Sequence, residues 1–473
     1  MYAQVENEDY ISNFYRYKLF NKKTKTYLLT SDSGAFCFLN SQEFRQLKRG
    51  TITSQKTYQL LEKKGIIFSK NNIRKTQQQI GMRYSFLQNG CSLHIVIPTA
   101  RCNLGCDYCF ADPSEIHAPK GENDMDEVTA KKTVEFILNS PSSAITIEFT
   151  GGEPLARFDL VKLMVEHAQK LNKKIKKDLR FSIVTNLSLM NTSIMEFLIE
   201  HNINICTSLD GPKQLHNKHR IIHAKQGKEI GTFDTVIHWM KTINQEYKKR
   251  NIHNKVYALM TITKDSLNYS KEIIDTYLEL EIEMVDIRAM MYVGRITEED
   301  NKQYLYEYKD FIIFYQKCLD YIKELQKKGI EIEDRMTNLY RKKILTGKPQ
   351  YHTDYESPWG AGISALTYHS NGQIYCCHEA LGNDDFLLGN IHQQWLELFQ
   401  TKEMAFTIMS SMLERNPQCD RCVYKPYCST SPIENISSQK DINFRPSKTI
   451  RHHETLFHCE REFDIILKNE TRE

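Results

Sequence analysis

The chain has 473 residues, 40% hydrophobic and 26% charged, with 63 basic against 59 acidic side chains. Such usage excludes collagen-like and fully disordered classes, and a net charge of +4 leaves no electrostatic footprint for nucleic acid. Mean hydropathy is −0.52, and no run of about 18 uncharged apolar residues marks a membrane span. The opening MYAQVENEDY lacks a basic start and an apolar core. No secretory signal is therefore expected, and the protein is expected in the cytoplasm. Thirteen cysteines in a reducing compartment point to metal binding or reactivity rather than disulfides.

Taken in chain order, TKTYLLTSDSGAFCFL (24–39) predicts two strands around a turn. SQEFRQLKRG (41–50) predicts a helix capped by Ser41, and KTYQLLEKKGIIF (56–68) a helix, a stop at Gly65 and a short strand. Together they suggest a winged-helix-like module over residues 1–80. The polar NNIRKTQQQ (71–79) is expected as a linker. From 90 to 300 strands alternate with helices. The strands are LHIVIP (93–98), ITIEFT (145–150), FSIVTN (181–186), NICTSLD (204–210), VYALMTIT (256–263) and MVDIRAMMY (284–292). They are short, mostly apolar and suited to a parallel sheet covered on both faces. Among the helices, 126–140 presents Ala130, Val134, Ile137 and Leu138 on one face, and 158–172 presents Leu160, Leu163, Met164 and Ala168. Right-handed βα units in series make an α/β fold, either a barrel or an open parallel sheet; six of them would be a partial (β/α)6 barrel of the TIM type. Residues 301–350 read as a helical bridge. Residues 351–473, poor in long periodic elements, read as a loop-rich domain held by metal.

Seven cysteines fall in two groups. Cys102, Cys106 and Cys109 follow the first strand, where parallel α/β folds place functional loops. Three thiolates cannot close a four-thiolate site, so an iron–sulfur cluster there leaves one iron open to an external ligand; zinc with a distant fourth ligand and free thiols are the alternatives. Cys419, Cys422, Cys428 and Cys459 supply four thiolates, for zinc or a closed cluster. Cys37, Cys91, Cys206 and Cys318 read as buried apolar residues. Cys376 and Cys377 are adjacent and unassigned.

CNLGCDYCF resembles the CxxxCxxC motif of the radical S-adenosylmethionine (SAM) superfamily, with Tyr108 before the last cysteine. Thr150-Gly151-Gly152-Glu153-Pro154, Thr185-Asn186, Ser208-Leu209-Asp210-Gly211-Pro212 and Arg220 follow at successive strand ends, in the family's order. The resemblance, over about residues 90–460, implies a [4Fe–4S] cluster on the three cysteines and SAM chelating its open iron. Tyr108, Gly151, Gly152, Glu153, Thr185, Asn186, Ser208, Asp210 and Arg220 are the implied cofactor contacts. Glu153 would accept from the SAM ammonium, Arg220 would reach its carboxylate, and the glycines would let backbone approach the methionyl group. It further implies a 5′-deoxyadenosyl radical that takes a substrate hydrogen.

The C-terminal region resembles the SPASM extension of peptide-modifying radical enzymes, through Trp359–Gly362, Asn371–Cys377 and Leu388–Ile391. That implies an auxiliary [4Fe–4S] cluster on Cys419, Cys422, Cys428 and Cys459. The inner auxiliary cluster of the family is expected to be missing: Trp359 stands near one ligand position and Pro432 at another. Where sulfatase maturases carry an aspartate base after the cysteine matching Cys377, this chain has His378 and Glu379, the implied catalytic candidates. YLLTSDSGAFCFL and CVYKPYCSTSPIENI resemble maturases of His-Xaa-Ser-type peptide systems. The implied partners are a precursor peptide with a leader, bound as an added strand by residues 1–80, and an electron donor such as flavodoxin or ferredoxin; neither nucleic acid nor membrane is expected. The expected outcome is crosslinking or another Cα or Cβ modification. Epimerisation would draw a hydrogen from Cys376 or Cys377. A protein-modifying relative of the sulfatase maturases and an inactive peptide-binding scaffold are the competing readings.

Overall fold

A computed structural model describes residues 6–7, 10–223, 229–350, 353–441 and 445–470. Most of the opening decapeptide read for a signal lies outside them. Five parallel strands, Leu93–Thr99, Ala144–Gly151, Asp178–Thr185, Ile203–Ser208 and Tyr257–Leu259, pair in chain order. Helices Glu127–Leu138 and Phe158–Ile175 pack beside them. Asp126 caps the first by accepting from the Thr129 N–H, and Ala130, Val134, Ile137 and Leu138 are buried as predicted. On the second helix Val161 and Val165 are buried where Leu163 was expected.

The sixth unit departs from expectation. Residues 284–292 do not join the sheet. Met284–Val285 pairs instead with Glu333–Asp334, and Ala289 makes a single parallel bridge to Ile262. On the opposite side, Ala365–Tyr368 from the C-terminal region pairs in parallel with Leu93–Thr99. Two antiparallel strands, Gln373–Tyr375 and Leu387–Asn390, extend it to a mixed eight-stranded sheet. Barrel and C-terminal region thus share one sheet and one continuous apolar core.

The N-terminal part has its own core around Leu29, Phe44, Leu47 and Leu61. Its meander contains a strand the sequence did not announce, Tyr15–Asn21, beside Thr26–Ser31 and Phe36–Leu39. Helix Ser41–Arg49 is capped by Asn40, not Ser41, through a capping box with Glu43. The expected linker at 71–79 is mostly helical, within Ile73–Arg83. The expectation that 351–473 lacks long elements fails as well, because Ile450–Glu470 is a helix of 21 residues.

Candidate active site and auxiliary cysteine site

The first strand ends at Thr99, and the cysteine loop leaves from Arg101. That arginine grips Asp124 through two bonds of 2.8 and 2.7 Å, and Asp124 also accepts from Thr99 and Arg157. Burial would raise the Asp124 carboxyl, yet these donors hold it below its usual range. The loop is pinned again at its far side. The Cys109 carbonyl accepts from the Arg295 N–H at 3.0 Å. Gly294, at φ 71°, packs so closely there that a Cβ would lie 2.5 Å from the Cys109 carbonyl. Gly294 and Arg295 were missed in the sequence reading; the glycine just past the expected sixth strand was the available signal.

Between the pinned ends, Tyr108 donates its hydroxyl to Asp210. Arg220 binds the same carboxylate through Nε at 2.8 Å and Nη2 at 3.1 Å. Burial would raise Asp210, but the Arg220 charge keeps it low. The structure therefore brings Tyr108, Asp210 and Arg220 together as one buried network. It pairs Arg220 with Asp210 through Nε and Nη2, and Arg220 also lines the cavity that the cysteines face.

The glycines also position the cysteine loop. Gly151 sits at φ 116°, and a Cβ on Gly152 would stand 2.2 Å from the Arg101 carbonyl oxygen. Their bareness lets the second strand's exit lie against the cysteine loop, with Glu153 N–H donating to Arg101 O at 2.8 Å. Glu153 is buried and accepts from the Leu155 N–H at 3.0 Å, Thr185 Oγ1 at 2.6 Å and the Asn186 N–H at 2.8 Å. Desolvation pushes its carboxyl up to about 7 against those three donors. Asn186 Nδ2 reaches Asn103 at 3.1 Å and lies 3.9 Å from Cys102 Sγ.

All three thiols, Gly151, Gly152, Glu153, Thr185, Asn186, Ser208 and Arg220 line one cavity of about 970 Å³. Burial pushes the Cys106 thiol up to about 12 and raises Cys102 and Cys109 too. The set thus needs a cation to hold it as thiolate. Three soft donors facing a roomy cavity, with a buried carboxylate alongside, fit an iron cluster open on one side. Cys377, His378 and Glu379 line the same cavity. His378 is buried with Nε2 unpartnered, the Phe110 ring edge-on at 4.8 Å, and desolvation lowers it to about 4. Cys376 Sγ lies 3.8 Å from Cys377 Sγ.

The second group assembles from two distant segments. Cys419, Cys422 and Cys428 lie on one loop, and Cys459 projects from the Ile450–Glu470 helix. The four are near neighbours. Burial first, then the other thiols of the set, raises Cys419 and Cys459. Cys428 also contacts Thr455 Oγ1 at 3.7 Å. Four neighbouring thiols suit a closed cluster. Among the described residues, no three His, Cys, Asp or Glu side chains are grouped for a single metal ion. The N-terminal meander covers this loop: Thr30 Oγ1 donates to the Val423 carbonyl at 2.7 Å, and Tyr427 donates to Gly34 O at 3.0 Å.

Residues 96–276 match the Radical SAM superfamily. This chain carries a radical SAM domain. The cofactors of a radical SAM domain, a [4Fe–4S] cluster and SAM, are those its thiol set and cavity suit. The chain is 26% identical over 342 residues to the Cysteine-type anaerobic sulfatase-maturating enzyme of Clostridium perfringens, covering 71% of this chain and 87% of that protein. It is 24% identical over 292 residues to the radical SAM cyclopropyl synthase TigE of Paramaledivibacter caminithermalis, covering 58% and 54%. Its fold is similar to native anSMEcpe with bound AdoMet (TM-score 0.65, 22% identity, 80% of this chain and 99% of that one). It also resembles the crystal structure of Streptococcus suis SuiB bound to precursor peptide SuiA (TM-score 0.54, 17% identity, 91% and 97%). The radical SAM fold thus extends beyond the matched segment, and the chain is an enzyme of radical SAM chemistry. Among the described residues, no helix is long and apolar enough to cross a membrane.

Proposed function

We propose that this enzyme modifies a ribosomally made precursor peptide in the cytoplasm, as a maturase of the His-Xaa-Ser type. One observation carries the reading: the Cys102, Cys106 and Cys109 thiols share a cavity of about 970 Å³ with His378 and Glu379, roomy enough for SAM and a substrate segment together. A relative named as a sulfatase-maturating enzyme supports it, as does a fold shared with a protein whose crystal structure holds its precursor peptide.

The three thiolates would hold the cluster. When bound, cluster and SAM supply a 5′-deoxyadenosyl radical that removes a hydrogen from the peptide. The chain's residues do the rest. Glu153 already accepts three donors, and a carboxylate has room for about four, so an ammonium completes it. Thr185 and Asn186 hold that carboxylate in place. Asp210 and Arg220 fix Tyr108 and thereby the cysteine loop. His378, kept neutral by burial, is free to accept a proton from the substrate, with Glu379 as the alternative. Cys419, Cys422, Cys428 and Cys459 would hold one auxiliary [4Fe–4S] cluster. Residues 1–80 would bind the leader, 90–300 form the barrel, 301–350 bridge, and 351–473 carry the auxiliary site. A flavodoxin or ferredoxin would deliver the electron.

Anaerobically reconstituted protein incubated with SAM and dithionite is expected to form 5′-deoxyadenosine, detected by mass spectrometry, and Cys106→Ala is expected to form none. A cluster-replete sample without 5′-deoxyadenosine would leave only the inactive-scaffold reading. The identity to sulfatase-maturating enzymes keeps a protein substrate as the second reading; modification of a sulfatase-derived peptide would favour it.

A further inference from the structure

The lining of the same cavity includes a set of charged side chains, most of which the proposed chemistry does not use. They comprise the carboxylates Asp286, Asp354, Glu379, Glu434 and Glu454, with Glu356, which pairs with Lys343 at 3.8 Å, and the guanidiniums Arg288, Arg335 and Arg451. Asp286 is shared by two of these, with Arg288 at 2.9 Å and Arg335 at 2.8 Å. Arg451 lies over the Tyr355 ring at 4.3 Å. Glu434, Glu454 and Glu379 make no ion pair within 4 Å among the described residues, and the buried Arg451, its Nη1 without a hydrogen-bond partner, is the charge that acts on both Glu434 and Glu454. Glu454 is 3% exposed, lines the cavity, and its Oε1 has no hydrogen-bond partner. Glu434, 7% exposed, faces the same space from the Pro432–Gln439 helix.

Two carboxylates, Glu434 and Glu454, that share the one Arg451 guanidinium leave a net negative charge on a dry wall, which is costly unless a further cation arrives. A cation offsets that cost; an anionic or apolar group does not. Resting on the proposed peptide substrate, we infer that this charged set forms a subsite for a basic residue of that peptide, its ammonium or guanidinium seated between Glu434 and Glu454. The side chain would anchor the substrate at a fixed distance from the three cysteines and so choose which carbon is presented.

The test uses cluster-replete enzyme with SAM and no reductant, titrated calorimetrically with four probes: acetyl-Gly-Lys-Gly-amide, its arginine and glutamate analogues, and its norleucine analogue. The lysine or arginine peptide is expected to bind about tenfold or more tighter than the norleucine one, as for a charged pair in a partly dry site. That preference is expected to fall severalfold in Glu434→Gln and in Glu454→Gln, and to persist in Glu135→Gln, an exposed control. Equal binding of lysine and norleucine peptides, saturation by none of the four, or a preference unchanged in both cavity variants overturns the subsite. The same samples are then reduced. If 5′-deoxyadenosine forms, only the subsite has failed; if it does not, the proposed chemistry has failed separately.

Discussion

Replacing Asp210 by Asn tests whether the Tyr108–Asp210–Arg220 network holds the cysteine loop. The carboxylate is 1% exposed and its guanidinium partner 9%. It accepts from Arg220 twice, from Tyr108, and from the Thr261 N–H at 3.0 Å. Asn keeps one acceptor and turns the other into a donor facing donors. Arg220 is then a buried charge without a counterion, which costs about 3–5 kcal/mol. At 2–4 °C per kcal/mol for a unit of barrel size, the barrel's melting transition should fall by roughly 6–20 °C. Scanning calorimetry of the metal-free protein reads this directly. Iron bound by a Cys419→Ala background, which reports the first cysteine group, should fall as well, because Tyr108 loses its anchor. The double variant Asp210→Asn/Arg220→Met carries no stranded charge and should be more stable than Asp210→Asn alone. A transition unmoved by Asp210→Asn, or a double variant that falls by the sum of the single losses, would refute the reasoning.

Other outcomes follow from single contacts. Gly152→Ala places a methyl 2.2 Å from the Arg101 carbonyl, so the cysteine loop must shift; iron at the first site should drop severalfold while iron at the second is retained, by chemical iron assay. Cys459→Ala should remove about half of the iron and leave 5′-deoxyadenosine formation measurable, since the two sites are separate; unchanged iron would sink the auxiliary cluster. Glu454 gives a pH prediction. Burial raises its folded pKa to about 7 from 4.5, so the folded state binds more protons between those values and loses stability as pH rises through the window. Glu454→Gln removes that slope, so its melting temperature should gain on the parent between pH 5 and pH 8; parallel curves would show the carboxyl does not titrate there.

The strands of the barrel were legible in short runs such as ITIEFT, whose Ile145, Ile147 and Phe149 enter the core while Glu148 and Thr150 line the cavity, and the site followed from cysteine spacing and the residues at successive strand exits. Three features were not. In MVDIRAMMY, Asp286 and Arg288 turn to the cavity and ion-pair there, so a run that reads as a strand leaves the sheet. The helix Ile73–Arg83 is mostly polar and buries only Thr76. Its start is held by Asn72, whose amide donates to the carbonyls of Glu62 and Ile67 at 2.6 and 2.7 Å, a tertiary cue that periodicity cannot show. The last helix hides Glu454, His458, Cys459 and Glu462 on its inner face, and this polar interior erased the apolar stripe by which helices are recognised. Arg220 and the glycines were placed correctly at the cavity, but their partners, Asp210 and the Arg101 backbone, could be known only from the packing.

Ala365–Tyr368 zips onto Leu93–Thr99 along its whole length. A shared ladder of backbone hydrogen bonds does not swing open as a hinge, so a peptide cannot enter by parting the two halves and must thread in from a rim. A truncation ending near residue 350 would bare the inner edge of the first strand, a sticky flank that invites aggregation.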